Sequence, residues 1–176
     1  NRAYFQAVKK ENYMYIIGGQ DFNIIDNPSF PNCGPSVPPE FCTPKIPFSR
    51  FFNDVWRSED GVTWIRMIEN QKIDDLDDPN PSHWAGRAGL SAVVFGGYIY
   101  VMGGSVNDDS AVVGGAPARI YFNDVWRSED GSNWEKVNNA PWAPRAGGIA
   151  VVKDGYMYMI GGEEGFICLP EIPGVP

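Results

Sequence analysis

The chain has 176 residues, 43% of them hydrophobic and 14% aromatic, with 20 Gly and 15 Pro. Its 14 Lys and Arg against 22 Asp and Glu give a formal net charge of −8, which disfavours nucleic acid and anionic membrane as partners, since both select basic patches. No apolar run approaches the ~20 residues that span a bilayer, and Gly and Pro this frequent and this evenly placed leave no convincing helix.

The first element opens at Arg2. An apolar run, a turn and a second run from Tyr13 lead to Gly18-Gly19. The same frame returns at Arg87 and Arg145. In each copy the Arg lies 11 positions before a Tyr (Tyr13, Tyr98, Tyr156) and 16 before the first Gly of a pair (Gly18-Gly19, Gly103-Gly104, Gly161-Gly162). The short apolar runs 90–95, 98–102, 149–152 and 156–160 read as strands, and the turns between them as hairpins.

A long segment, 20–52, follows the first Gly pair. It carries Phe22, Phe30, Phe41, Phe48 and Phe51, and the Pro-rich stretch between Cys33 and Cys42. A Cys33–Cys42 disulfide would limit the freedom of a stretch with no core of its own and would imply an oxidising compartment; free thiols are the other reading. Cys168 is then odd, with its partner expected beyond Pro176 or in another chain.

Next comes the sequence FNDVWRSEDG at 52–61, which returns unchanged at 122–131. An identical decapeptide marks a duplicated structural unit. Residues 54–57 read as a third strand, 59–61 as a turn and 63–65 as the start of a fourth. Trp56 and Trp126, then Trp64 and Trp134, recur in step.

The connection 65–86 holds Asp74, Asp75, Asp77 and Asp78, which could supply hard oxygens to Ca2+. The plainer reading is a solvated acidic loop, because the spacing is not that of an EF-hand; residues 107–110 are a weaker second candidate. His83 follows. A lone His near carboxylates could serve as a base or contact a partner, but no nucleophile stands in a recognisable motif, so a loop His beside a packed Trp84 is the plainer reading. One His and no CxxC argue against other metals.

The set Ile17-Gly18-Gly19, Met102-Gly103-Gly104 and Ile160-Gly161-Gly162, with Tyr15, Tyr100 and Tyr158 and the late Trp64 and Trp134, resembles kelch repeats. The stretch 58–64 also looks like an Asp-box turn shortened by one residue. The resemblance covers nearly the whole chain and implies an all-β fold: one domain of four-stranded antiparallel blades of a β-propeller. About two and a half blades are present, namely 2–86, 87–144 and the partial 145–176. A closed propeller takes roughly four to eight blades, so further blades or further copies are expected, with another Asn-Asp-Val-Trp strand after Pro176. Residues recurring in every blade, the Arg and Asn-Asp pairs included, are expected to hydrogen-bond within the scaffold.

Length variation locates function better. The connection between second and third strands has 33 residues at 20–52 but 18 at 105–122. The connection from fourth strand to next first strand has 22 at 65–86 but 10 at 135–144. In an antiparallel meander both lie on one face, where long loops carry binding residues. Phe22, Phe30, Phe41, Phe48 and His83 are the candidate contacts there. The expected role is a non-catalytic, secreted or surface-exposed module that binds a protein or glycan, with no cofactor unless calcium. Copper oxidases of the family need two His, which this stretch lacks. A propeller enzyme with its catalytic residues in other blades, or an intracellular adaptor, are the alternatives.

Overall fold

The computed structural model describes residues 2–35, 39, 42–70, 83–108 and 118–164. Among them are fourteen strands and no α-helix. The architecture is all-β and wholly antiparallel in its ladders. No helix of the described residues is long and apolar enough to cross a membrane.

The two complete units form two equivalent sheets. In the first, β1 (Gln6–Lys10), β2 (Tyr13–Ile17), β5 (Val55–Ser58) and β6 (Ile65–Ile68) lie in that order. In the second, the order is β7 (Ser91–Phe95), β8 (Tyr98–Met102), β11 (Asp124–Ser128) and β12 (Glu135–Asn139). The strands of each unit are called A to D below. The repeat extends to register: Ile17 faces Val55 as Met102 faces Val125, and both C–D ladders shift at the same place, after Val55 and after Val125. β13 (Ile149–Lys153) and β14 (Tyr156–Ile160) are the A–B pair of a third unit.

Two further ribbons, β3 (Gln20–Asp26) with β4 (Lys45–Phe51) and β9 (Ser105–Asp108) with β10 (Ala118–Tyr121), grow out of the B–C connections. In the sequence these segments read as loops. Phe22 and Ile24 do alternate with polar residues, but Pro47 disguises the partner strand. Pro is accommodated because this two-stranded ribbon has open outer edges. The fourth strand also differs from expectation: it begins at Ile65, because the Asp60 carboxylate holds Val62 and Thr63 in the turn.

The A strands lie side by side, β7 packed against β1 on one flank and β13 on the other. Gly89 N–H donates to the Tyr4 carbonyl at 3.0 Å, and Gly147 N–H to the Gly89 carbonyl at 2.8 Å. The Gly pairs sit at the same junction. Gly104 N–H donates to the Arg145 carbonyl at 2.8 Å, one unit on. A Cβ on Gly103 would stand 2.7 Å from that carbonyl, and both glycines have positive φ. Any side chain would push the units apart.

The core lies between the first two sheets. Tyr15, Ile17 and Val55 of the first pack with Ile99, Val101, Trp126, Leu90 and Trp84. Each large side chain so buried contributes about 1.5–3 kcal/mol of transfer free energy. Outer faces of the array are open by contrast. Tyr158 is 46% exposed, whereas its counterpart Tyr100 is 9% exposed.

Candidate functional site: the face of the B–C and D–A connections

The recurring polar residues form a clasp inside each unit. Arg2 meets the Asp54 carboxylate with both terminal nitrogens, at 2.6 and 2.7 Å, and donates to the Gly18 carbonyl at 3.2 Å. Arg87 repeats this on Asp124 at 2.5 and 3.0 Å and on Gly103 at 3.0 Å. Trp56 and Trp126 donate their indole N–H to the same carboxylates, each at 2.8 Å. Each guanidinium also lies over a Phe ring, Arg2 on Phe52 at 4.1 Å and Arg87 on Phe122 at 3.7 Å. Asn53 and Asn123 reach the next D–A connection, donating to the carbonyls of Trp84 and Trp142. Burial pushes the Asp124 carboxyl up. The charge and hydrogen bonds of Arg87 and the Trp126 indole outweigh it, and the group titrates below the usual range. Arg145 donates to the Gly161 carbonyl at 3.1 Å in the same way. These side chains therefore hold A, B and C strands together and present little to a ligand.

On the opposite face the C–D turns are built alike. The Asp60 carboxylate accepts the N–H groups of Val62 and Thr63 and the Ser58 hydroxyl, at 2.7–2.9 Å. Asp130 does the same with Ser132, Asn133 and Ser128. Those backbone donors depress the Asp60 carboxyl well below its usual value. Slight burial raises Asp130, but the Asn133 and Ser132 donors bring it down to about 2. Trp64 and Trp134 close the turns by donating to the carbonyls of Gly61 and Gly131.

The β3–β4 ribbon is the largest feature of the B–C side. Its base is tied by the Arg50–Asp21 pair and its far end by Lys45–Asp26 at 2.5 Å. Asn27 closes it further: its amide donates to the Thr43 carbonyl, its N–H to the Pro44 carbonyl, and its side-chain oxygen accepts Ser29 N–H, each at 2.9 Å. The Cys33–Cys42 disulfide staples the end, with Cα atoms 5.8 Å apart. The two faces of this rigid element carry apolar side chains in water: Phe22 is 65% and Ile24 68% exposed, and Phe48 stands exposed on the other side. Phe30 is exposed in the turn beyond.

His83 is placed elsewhere than a contact residue would be. It is 4% exposed, its Nε2 lies 2.8 Å from the Asn53 carbonyl, and its ring packs against Trp84 and Trp134. Burial pushes the imidazole down; the Asn53 carbonyl opposes, and the Arg87 charge adds to the lowering. Phe41, the candidate calcium residues Asp74, Asp75, Asp77 and Asp78, and Cys168 lie outside the described residues. Among the described residues no three His, Cys, Asp or Glu stand together as metal ligands.

Sequence reasoning missed a depression of about 320 Å3 where the three A strands begin, lined by Tyr4, Gln20, Ser105, Gly147 and Glu163 among others. Tyr4 holds a φ of 54° where the other two units have Gly89 and Gly147. That departure from an otherwise regular repeat was visible in the sequence and is the signal that could have found it.

No protein-family model matches the chain, and no curated protein matches it in sequence. Among solved structures it is similar to one described as the structure of YjhT, with a TM-score of 0.56 at 17% identity over 93% of this chain. At that identity the likeness shows fold alone. The chain spans 45% of the length of that structure.

Proposed function

We propose that this chain is a run of kelch-type blades from a β-propeller, acting as a non-catalytic extracellular module that binds a protein or glycan partner through its B–C and D–A face. The observation that carries this reading is the β3–β4 ribbon, a stapled hairpin that holds Phe22 and Ile24 out in solvent. Monomeric proteins rarely keep such side chains together in water without a use for them. A pre-tied ribbon also loses little conformational entropy on binding. Further units of the same repeat cover the open sheet faces, because the side chains left exposed there match those buried between the first two sheets. The disulfide supports an oxidising, extracellular setting.

A glycan array and a panel of purified extracellular proteins, probed with the wild-type chain and with Phe22→Ser/Ile24→Ser, test the reading. Loss of the bound ligand in a variant with unchanged thermal melting is expected. A variant that binds every ligand as wild type does would move the site off the ribbon.

A further inference from the structure

The C–D hairpins of the two complete units share the stretch 52–61/122–131 and then differ at several positions, and one of these differences, Ile65 for Glu135, points to a second site, on the face opposite the long loops. In the second unit Arg127 stands across the ladder from Glu135. Its guanidinium lies 4.7 Å from the Tyr98 ring centroid, and its Nε donates to the Glu135 carboxylate. In the first unit Arg57 takes the same place, 4.2 Å from the Tyr13 ring centroid, but the residue across the ladder is Ile65. The Nε of Arg57 is buried and has no hydrogen-bond partner among the described residues. A depression of about 310 Å3 opens beside it, lined by Tyr13, Arg57, Glu59, Asp60, Thr63 and Ile65.

We propose that this depression binds a carboxylate, which occupies on Arg57 the place that Glu135 fills on Arg127. The Tyr13 ring holds the guanidinium in place, a ligand reaches the enclosed Nε once the exposed Ile65 side chain turns aside, and a guanidinium selects a planar two-oxygen acceptor. The acidic neighbours do not fill the place themselves. The Asp60 carboxylate is taken up by its own turn. Glu59 corresponds to Glu129, and in the second unit Arg127 pairs with Glu135 instead. The carboxylate comes either from a small free acid or from an acidic protein segment, and the chemistry at Arg57 is the same.

The arginine Nε–Hε resonances of the full chain report directly, titrated with acetate and with an amidated hexaglutamate peptide at ionic strength held by NaCl. A saturable shift at Arg57 is expected with at least one probe, and none at Arg127. Hexaglutamate binding tenfold or more tighter than acetate identifies an acidic segment; comparable binding identifies a small acid. Ile65→Glu supplies the carboxylate internally and should weaken probe binding at least tenfold. Glu135→Ile should open Arg127 to the same titration, independently of how Ile65→Glu behaves. An Arg57 signal that does not move, or that moves equally in Ile65→Glu, overturns the proposal.

Discussion

At the scale of the residue, the molecule repeats one polar solution, and the solution is costly to break. Arg87 is 1% exposed and chelates Asp124. Arg87→Ala leaves a carboxylate that is only 14% exposed without its partner and should cost about 3 kcal/mol in urea unfolding, the low end for breaking a buried pair. Arg2→Ala should cost less, since Arg2 is partly exposed and water can reach Asp54 in its absence. The sequence already gave these Arg and Asp a scaffold role, because they recur with fixed spacing; which atoms they join needed the sheets. His83 adds a pH signature of its own, being the single His of the chain. Its folded pKa lies below its ordinary 6.5, so the unfolded state takes the proton first. Stability is full above about pH 6.5 and falls as the pH drops below it. Melting temperature should therefore decline between pH 7 and pH 5, and His83→Gln should flatten that step; a wild-type profile already flat there would remove the buried-imidazole account. A second loss belongs to the turn and clasp carboxylates. Asp130 falls from an ordinary 3.8 to about 2 in the fold. Its contribution is present above pH 3.8 and is lost as the pH falls toward 2, and Asp130→Asn should shrink this step.

At the scale of the element, two turns with one sequence differ by what lies behind them. A Cβ on Gly131 would stand 2.8 Å from the Tyr15 ring of the preceding unit, whereas one on Gly61 would meet only the Met14 methyl at 3.3 Å. Both glycines have positive φ, so backbone strain is common to the two. Gly131→Ala should then be worse than Gly61→Ala by about 1–3 kcal/mol, the usual cost of forcing atoms into a filled core; equal denaturation midpoints would place the two turns in equivalent surroundings. The β3–β4 ribbon lies apart from the hydrophobic core. Cys33→Ser/Cys42→Ser should accordingly leave global melting nearly unchanged while limited proteolysis between the two positions accelerates. The ribbon itself was poorly legible in the sequence. Its polar–apolar alternation spans only 21–24 before Ile25 breaks it, and a ribbon of two strands carries no wider pattern.

At the scale of the whole molecule, the decisive fact is that sheet faces with matching side chains end in water. Tyr158 and Ile160 are exposed at positions whose counterparts Tyr100 and Met102 are buried, and Trp56 is half-exposed where Trp126 is buried. In the proposed propeller these faces meet further units of the same kind. The 176-residue chain on its own should then associate head to tail as concentration rises. Sedimentation velocity should show the association weakened by Tyr158→Lys or Trp56→Lys. A chain that stays monomeric across the range would mean the faces are not mutually complementary.

The sequence by itself determined the all-β class, the order of the A to D strands and the fixed spacing of the recurring Arg, Gly-Gly and Asn-Asp positions. It could do so because each is a local spacing that repeats, and repetition separates a rule from an accident. The depression beside Tyr4, the buried place of His83 and the Nε of Arg57, without a partner among the described residues, were decided by tertiary structure alone. Each depends on which side chains from distant positions, or from across a ladder, come to stand together. A string of residues does not state such juxtapositions, and only the packing of one unit against the next creates them.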